Sequence, residues 1–428
     1  MKNIAENSWR IKAQFGLSAH RRTDAKDAPE STQPASTSDC FEVGFCVFST
    51  IMSFESFFTL VVLLFLACYA SVTVYALRGL NLLSKRPERR TEPRPRFSVI
   101  VAARNEEGTI GRCLDSLLLQ QYPSEDFEII VANDRSTDRS GEVIESYRRR
   151  AANLRVIAIT EEPHDLPPKK NALDRAIRMS NHEFLAFTDA DCSPPPTWLA
   201  AIADQYDQEV GVVAGYSPIG DPEPTGIARR AAFLFLRYLE VKNSIGAAAG
   251  IGLEHPYMCT GRNFSYRKRV FMEVGGFEKI KHSISGDDDL FLQLVERETR
   301  WKVRYMTSQQ SFVPTNAPST LREFVNQRRR HFSAGKFYPV GMKLLFGLVH
   351  GFGVLSILAV IVYPSFGLAI LAAKLAFDAL IVAKGTSLFG EQRLFPSIVV
   401  LEIASVLYNA LIGPLGVLGK FTWKGARS

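Results

Sequence analysis

No two of the six cysteines in this 428-residue chain (Cys40, Cys46, Cys68, Cys113, Cys192, Cys259) stand in a CxxC spacing. That absence excludes a zinc ribbon and gives no sign of a disulfide framework; the last three read as small buried apolar side chains. The first 50 residues lack the short charged start and apolar core of a secretory signal, and they lack helical or strand periodicity. With a Ser/Thr/Pro-rich stretch from Pro29 to Asp39, residues 1–50 are expected to be a disordered extension, and Met52 to be the natural start. Between Asp27 and Phe57 there is no Lys or Arg, and from Phe57 to Leu77 there is no charged side chain at all.

These 21 residues are enough to cross a hydrocarbon core of about 30 Å as a helix, so a transmembrane span is expected over 57–79. Arg78, Lys85, Arg86, Arg89, Arg90, Arg94 and Arg96 follow at once, which by the positive-inside rule places the following segment in the cytoplasm. A second apolar block, Leu344 to Ala383, is broken by Pro364-Ser365 and reads as a hairpin of two spans. A third candidate covers 397–418. Three such spans would leave Lys420, Lys424 and Arg427 outside, against the charge rule, so the C-terminal topology stays open. Lys374 and Asp378, four residues apart in the second arm, must pair or face a cavity, or that arm must lie in the interface. The formal net charge of +7 is concentrated in juxtamembrane and late basic clusters, which suit anionic lipid headgroups and not nucleic acid. An inner-membrane, multi-pass protein with its central domain in the cytoplasm is the expected localisation.

From Phe97 the pattern changes to short β-branched runs alternating with helical stretches, the signature of an α/β fold with a mostly parallel, Rossmann-like sheet and flanking helices. Strands are expected at Phe97–Ala102, Phe127–Ala132, Leu154–Ile159, Phe184–Thr188 and Val210–Gly215, with helices at Gly108–Gln121 and Ser140–Ala151. Ligands of such sheets collect beyond the carboxyl ends of the strands. Acidic and amide residues stand at those ends: Asn105 and Glu106 after the first strand, Asp134 after the second. Glu106 and Asp134 are expected to accept hydrogen bonds from a uracil-like base and its ribose. After the fourth strand comes Asp189-Ala190-Asp191. Two carboxylates one residue apart offer hard oxygen ligands to Mg²⁺ or Mn²⁺ without enclosing the ion, so that diphosphate oxygens can complete its shell.

Taken in order, Val101-Ala102-Ala103-Arg104-Asn105-Glu106, Asp134 with Ser136-Thr137-Asp138, Lys169-Lys170-Asn171-Ala172-Leu173, Asp189-Ala190-Asp191 and Gly286-Asp287-Asp288-Asp289-Leu290 resemble a family 2 glycosyltransferase of the GT-A fold over residues 97–332. The resemblance extends to the membrane-bound, cellulose-synthase-like members. It implies donor contacts at Ala103, Asn105, Glu106, Asp134, Lys169, Asp189 and Arg330, with Lys169 on the donor phosphate or a base-contacting loop. Metal ligands at Asp189 and Asp191 are also implied. The matching acidic motif is Glu-Asp-x-Asp; here Gly286 holds the first place, so Asp287 falls on the base, and a one-residue shift would put Asp288 there. Cys259 to Tyr266 resembles the acceptor-side loop, which implies acceptor contacts at Gly261 and Asn263. Gln327-Arg328-Arg329-Arg330-His331 resembles a Gln-x-x-Arg-Trp motif, placing Gln327 and His331 on the acceptor side. His331 in place of Trp offers a smaller, more polar face and weighs against processive polymerisation. Residues 317–343 also suit an amphipathic interface segment.

The expected function is an inverting transfer of a sugar from a nucleotide-diphosphate sugar, of the UDP kind, to a membrane lipid or lipid-linked acceptor. A processive polysaccharide synthase and a noncatalytic sugar-binding or transport component are the alternatives. A nucleotidyltransferase is disfavoured because Ala102 to Gly108 supplies no glycine-rich phosphate loop.

Overall fold

The computed structural model describes residues 53–84, 94–220, 225–318 and 320–418, with 422–423 and 426–427; the expected extension at 1–50 and the start at Met52 lie outside them. The chain divides into two compact units, Met1–Phe58 and Thr59–Ser428. Of the first, only 53–58 is described, as the opening of a helix.

That helix, α1 (Phe54–Ser84), runs further at both ends than the expected span. The α/β part follows as β1 (Phe97–Ala103), α2 (Ile110–Leu118), β2 (Phe127–Asp134), α3 (Ser140–Arg148), β3 (Leu154–Ile159), α4 (Pro168–Met179), β4 (Phe184–Phe187), α5 (Trp198–Ala203) and β5 (Val210–Gly215). Next come α6 (Ile227–Gly252), β6 (Phe264–Arg267), α7 (Lys268–Glu273), α8 (Asp289–Glu298) and β7 (Lys302–Met306). The chain continues with α9 (Leu321–Ala334), α10 (Val340–Val362), α11 (Pro364–Phe389) and α12 (Ile398–Leu418).

The seven strands form one sheet in the order β3-β2-β1-β4-β6-β5-β7. Pairings β1–β2, β1–β4, β2–β3 and β5–β7 are parallel, while β6 runs antiparallel to both β4 and β5. Val99, Ile100 and Val101 of β1 and Ile129, Ile130 and Val131 of β2 are wholly buried, as expected where helices cover both faces. Alternate residues of these strands feed two apolar clusters, one on each side of the sheet. The carboxyl ends of β1, β2 and β4 thus share one edge, where the expected acidic residues emerge.

Four helices, α1, α10, α11 and the segment Gln392–Gly413 containing most of α12, are long and apolar enough to cross a membrane. Pro364 separates α10 from α11 and sits in the first turn of α11, where its missing N–H costs nothing. The charges within these apolar helices are paired: Lys374 Nζ lies 2.5 Å from Asp378 Oδ2, and the Tyr69 hydroxyl of α1 donates to Asp378 Oδ1. Lys242 of α6 similarly pairs with Glu402 of α12 at 2.5 Å and donates to the Ser405 hydroxyl at 3.3 Å. Helix α1 meets α6 through backbone: a Cβ at Gly79 would stand 2.2 Å from the Ala249 carbonyl oxygen, and one at Gly252 would stand 2.1 Å from that of Gly79.

The Thr320 hydroxyl accepts from the Glu323 N–H and caps α9. The rings of Phe324 and Phe332 in α9 both lie against Tyr408 of α12, at 5.9 and 6.1 Å between centroids. The aromatic positions of the expected interface segment therefore pack on a neighbouring helix, and Asn326, Gln327, Arg330 and His331 line a cavity.

Candidate active site

One cavity of about 1570 Å³ lies over the sheet edge and gathers residues from across the chain. Ala103, Asn105, Glu106, Asp134, Lys169, Asp189, Asp191, Gly261, Asp287, Asp288, Gln327, Arg330 and His331 all line it. Asn263 does not join them. Its side chain is wholly buried behind the site, where Nδ2 donates to the carbonyls of Tyr216 and Ser311 and Oδ1 accepts from Trp198 Nε1. The expectation of an acceptor contact at Asn263 is corrected accordingly. All three of its polar bonds fasten loops, leaving nothing to offer a substrate.

The loops after β1 and β2 are locked to each other. Asn105 and Arg135 adopt left-handed backbone at φ 53° and 51°, rare for side chains other than glycine and typical of functional turns. Asn105 Oδ1 accepts from the Thr137 N–H at 2.8 Å, and the N–H groups of Asn105 and Glu106 donate to Ser136 and Ser140 hydroxyls. The Asn105 amide oxygen therefore shapes the loop. Asp134 is held by Arg135 at 2.8 Å and Arg104 at 3.6 Å, so a base or ribose would meet it as part of an ion cluster.

Lys169, in the first turn of α4, joins the two acidic motifs. Its Nζ lies 3.0 Å from Asp189 Oδ1 and 2.9 Å from Asp287 Oδ2. Groups 98 residues apart in sequence are thereby brought to one ammonium. Burial alone would push the Asp189 carboxyl up, but Lys169 holds it below the usual carboxylate range; burial and the charge of Asp189 push Asp191 up. Burial opposes the charge of Lys169, and the surrounding carboxylates overcome it, so the ammonium is held well above its ordinary range.

The three adjacent aspartates have separate tasks. Asp288 is the N-cap of α8: Oδ1 accepts from the Asp289 N–H and Oδ2 from the Gly261 N–H, both at 2.8 Å. Asp289 accepts from the Tyr338 hydroxyl at 2.6 Å and the Cys259 N–H at 2.9 Å; burial and the charge of Asp288 push its pKa to about 8. Asp287 alone takes a side-chain ammonium as partner. Gly286 replaces the expected Glu for a local reason: its φ is 84°, and a Cβ there would stand 2.6 Å from the Leu290 side chain.

Several contributors were not legible as site residues. Lys170 is wholly buried, and its Nζ donates to the carbonyls of Ile280, Ser283 and Ser285 at 2.8, 2.6 and 2.9 Å, fixing the loop that leads into Gly286. Glu240 binds both Arg262 at 2.6 Å and Arg328 at 2.9 Å, tying the acceptor-side loop to α9. It is the sole carboxylate of α6, a helix that carries four basic side chains, which is a usable signal in hindsight. His331 opens on the cavity; the enclosing walls, then Arg330, Arg328 and Arg262, hold its imidazole well below its ordinary pKa.

Among the described residues no group of three or more His, Cys, Asp or Glu side chains is arranged to enclose a metal ion. Asp189 and Asp191 nonetheless fit a divalent cation as an open pair of hard oxygen donors. The raised Asp191 carboxyl, buried beside Asp189, is what a second positive charge would relieve.

Comparison with known proteins agrees with this geometry. Residues 98–275 match the family model described as Glycosyl transferase family 2. The probable glycosyltransferase YdaM of Bacillus subtilis is 23% identical over 252 residues, covering 58% of this chain and 56% of that protein. Glycosyltransferase AglE of Haloferax volcanii is 29% identical over 46% of this chain and 60% of its own length. The beta-monoglucosyldiacylglycerol synthase of Synechocystis is 26% identical over 35% of this chain and 34% of its own length. The chain thus spans between about a third and three fifths of the length of these relatives. A solved mannosyltransferase from Pyrobaculum calidifontis, in complex with GDP-Man and Mn²⁺, superposes with a TM-score of 0.50 at 19% identity, over 83% of this chain and 99% of that one. The sheet order, the acidic loops at its edge and these matches together identify residues 98–275 as a family 2 glycosyltransferase domain of GT-A fold, carried between apolar helices.

Proposed function

We propose that this protein transfers a sugar, with inversion, from a nucleoside diphosphate sugar of the UDP class to the hydroxyl of a lipid or lipid-linked acceptor at the cytoplasmic face of the inner membrane. The observation that carries the reading is the Lys169 bridge, which sets a donor-side carboxylate, Asp189, and a second acid, Asp287, on one ammonium in one cavity. Asp287 is the base: it takes the proton of the acceptor oxygen as that oxygen attacks the anomeric carbon. The two backbone N–H groups that Asp288 accepts favour Asp287 over it for that role. Arg330 faces the leaving diphosphate, and Asp189 and Asp191 would hold the Mg²⁺ or Mn²⁺. When bound, the cation neutralises charge that develops on the leaving group. Apolar helices at both ends of the domain, and a relative named for diacylglycerol glucosylation, support a lipid acceptor.

The test uses the full chain in detergent or nanodiscs with radiolabelled UDP- and GDP-sugars and a membrane lipid extract. Transfer to lipid is expected with UDP-sugar and divalent cation, and loss of metal-dependent donor binding in Asp191→Ala. Wild-type donor binding and turnover in both Asp191→Ala and Asp287→Asn would refute the assignment.

A further inference from the structure

The cavity does not end at the acidic cluster. It continues between α10 and α12, where Phe346, Gly347 and His350 face Ser405, Tyr408, Asn409 and Gly413. Both helices are long and apolar enough to lie in a bilayer, which would set this lobe beside lipid.

Three observations give the lobe a direction and a chemistry. An aromatic wall leads from the acids into it: the Tyr338 hydroxyl donates to Asp289, its ring lies 6.0 Å from Phe346, and Phe346 stacks on His350 at 6.0 Å with planes 4° apart. His350 stands ten residues beyond Val340, about 15 Å along the helix at 1.5 Å per residue. The gap is flanked by glycine on each helix. Neither Gly347 nor Gly413 has any atom within 4 Å of where a Cβ would stand, so space is open on both sides. Two exposed cations, Lys336 and Lys343, line the same cavity, and among the described residues neither has a carboxylate within ion-pair distance. The other two lysines that line the cavity, Lys169 and Lys242, are already bound to carboxylates.

Resting on the glycosyltransferase reading, the geometry points to a lateral entry for an anionic lipid between Gly347 and Gly413, its phosphate held by Lys343 and Lys336 and a hydroxyl beyond that phosphate presented to Asp287. A neutral diacylglycerol would leave both lysines without a function. A polyprenyl monophosphate carries no hydroxyl for a base to deprotonate. The matching chemistry is a phosphate with an alcohol beyond it, as in the headgroup of phosphatidylglycerol or a sugar on a polyprenyl diphosphate. In the transfer, the bond from the anomeric carbon to the diphosphate oxygen breaks. A bond to the lipid hydroxyl oxygen forms, the proton passes to Asp287, and the nucleoside diphosphate leaves with the electron pair.

The experiment offers the full chain nucleotide sugar and vesicles containing, separately, phosphatidylglycerol, a polyprenyl diphosphate sugar, a polyprenyl monophosphate or diacylglycerol. Expected is transfer to one or both of the first two, which also tells the two sources apart. Gly347→Trp should abolish lipid transfer. Lys343→Glu should raise the acceptor KM by at least about fivefold, the worth of one lysine at a charged lipid surface, with kcat at saturation retained. Ile361→Trp, at an exposed position on the same helix outside the cavity, is the control that should change nothing. Transfer to diacylglycerol or to the monophosphate alone overturns the inference, as does wild-type transfer by Gly347→Trp. If no lipid accepts sugar yet a soluble glycan does, the acceptor reading falls and the enzyme remains; if nothing accepts sugar, the proposed function itself falls.

Discussion

Two charged clusters in this molecule are built on opposite principles. In the cavity over the sheet edge, Lys169 alone serves Asp189 and Asp287, while Asp191 and Asp288 stand close by with their carboxyls pushed up. Among the apolar helices, Lys374 faces Asp378 and Lys242 faces Glu402, cation for anion. The first cluster has more carboxylates than ammonium groups, a surplus that a bound cation would offset. The second is closed, and its sum is zero. A surplus marks a place of work, and a balance marks a joint. Removing a member should therefore cost activity in the first and stability in the second.

The largest expected effect lies in the open cluster. Asp287→Asn keeps shape and loses the proton acceptor, so kcat should fall by about 10²–10⁴ while donor affinity stays near wild type. Equal kcat in the variant would break the comparison at its first term. In the closed cluster, Asp378→Ala strands the Lys374 ammonium and should destabilise the folded chain by about 3–5 kcal/mol, read as thermal unfolding in detergent. The double replacement Lys374→Met with Asp378→Leu should recover most of that loss, since it removes the charge with its partner. An unrecovered double variant would mean that the pair serves something other than assembly.

Lys170 tests the border between the two kinds. Lys170→Met removes the ammonium shared by three carbonyls, of which that of Ile280 also accepts from the Ser283 N–H, so it should cost about 1–3 kcal/mol and also loosen the loop before Asp287. A fall in kcat larger than the fall in donor affinity would show that the loop acts on the base. A further expectation concerns pH. Asp289 has a folded pKa of about 8, above the usual unfolded carboxyl value of about 3.9. Its contribution to stability is therefore full below that unfolded value and is lost as pH rises through 8. Asp289→Asn, which can still accept from Tyr338 and Cys259, should flatten this part of the decline in unfolding temperature between about pH 4 and 8.

How much of this could be read from sequence depended on how local each signal is. Asp189 and Asp191 follow a buried strand within four residues, and β1, β2 and β4 are largely apolar runs, so sheet and acids were both visible. Asn263 was misplaced because sequence shows proximity to Gly261 and not direction: its side chain points behind the sheet edge, to Trp198. Glu240, Arg262 and Arg328 form a contact between segments 22 and 88 residues apart, which no spacing announces. The acids themselves were found, but the division of labour among Asp287, Asp288 and Asp289 required the positions of the Gly261 and Cys259 N–H groups.

Where α1 meets α6, the backbones of Gly79 and Gly252 touch with no room for a methyl group. Such a junction cannot slide like a piston without losing its contact, so the stand-off between the sugar-transferring domain and the anchoring helix is constant. On the proposed lipid acceptor the molecule would work as a jig of one height: an alcohol that rides at the matching level above the acyl chains would be served, and one carried too low or too high passed over. Choice of acceptor would in that case be made by altitude as much as by shape.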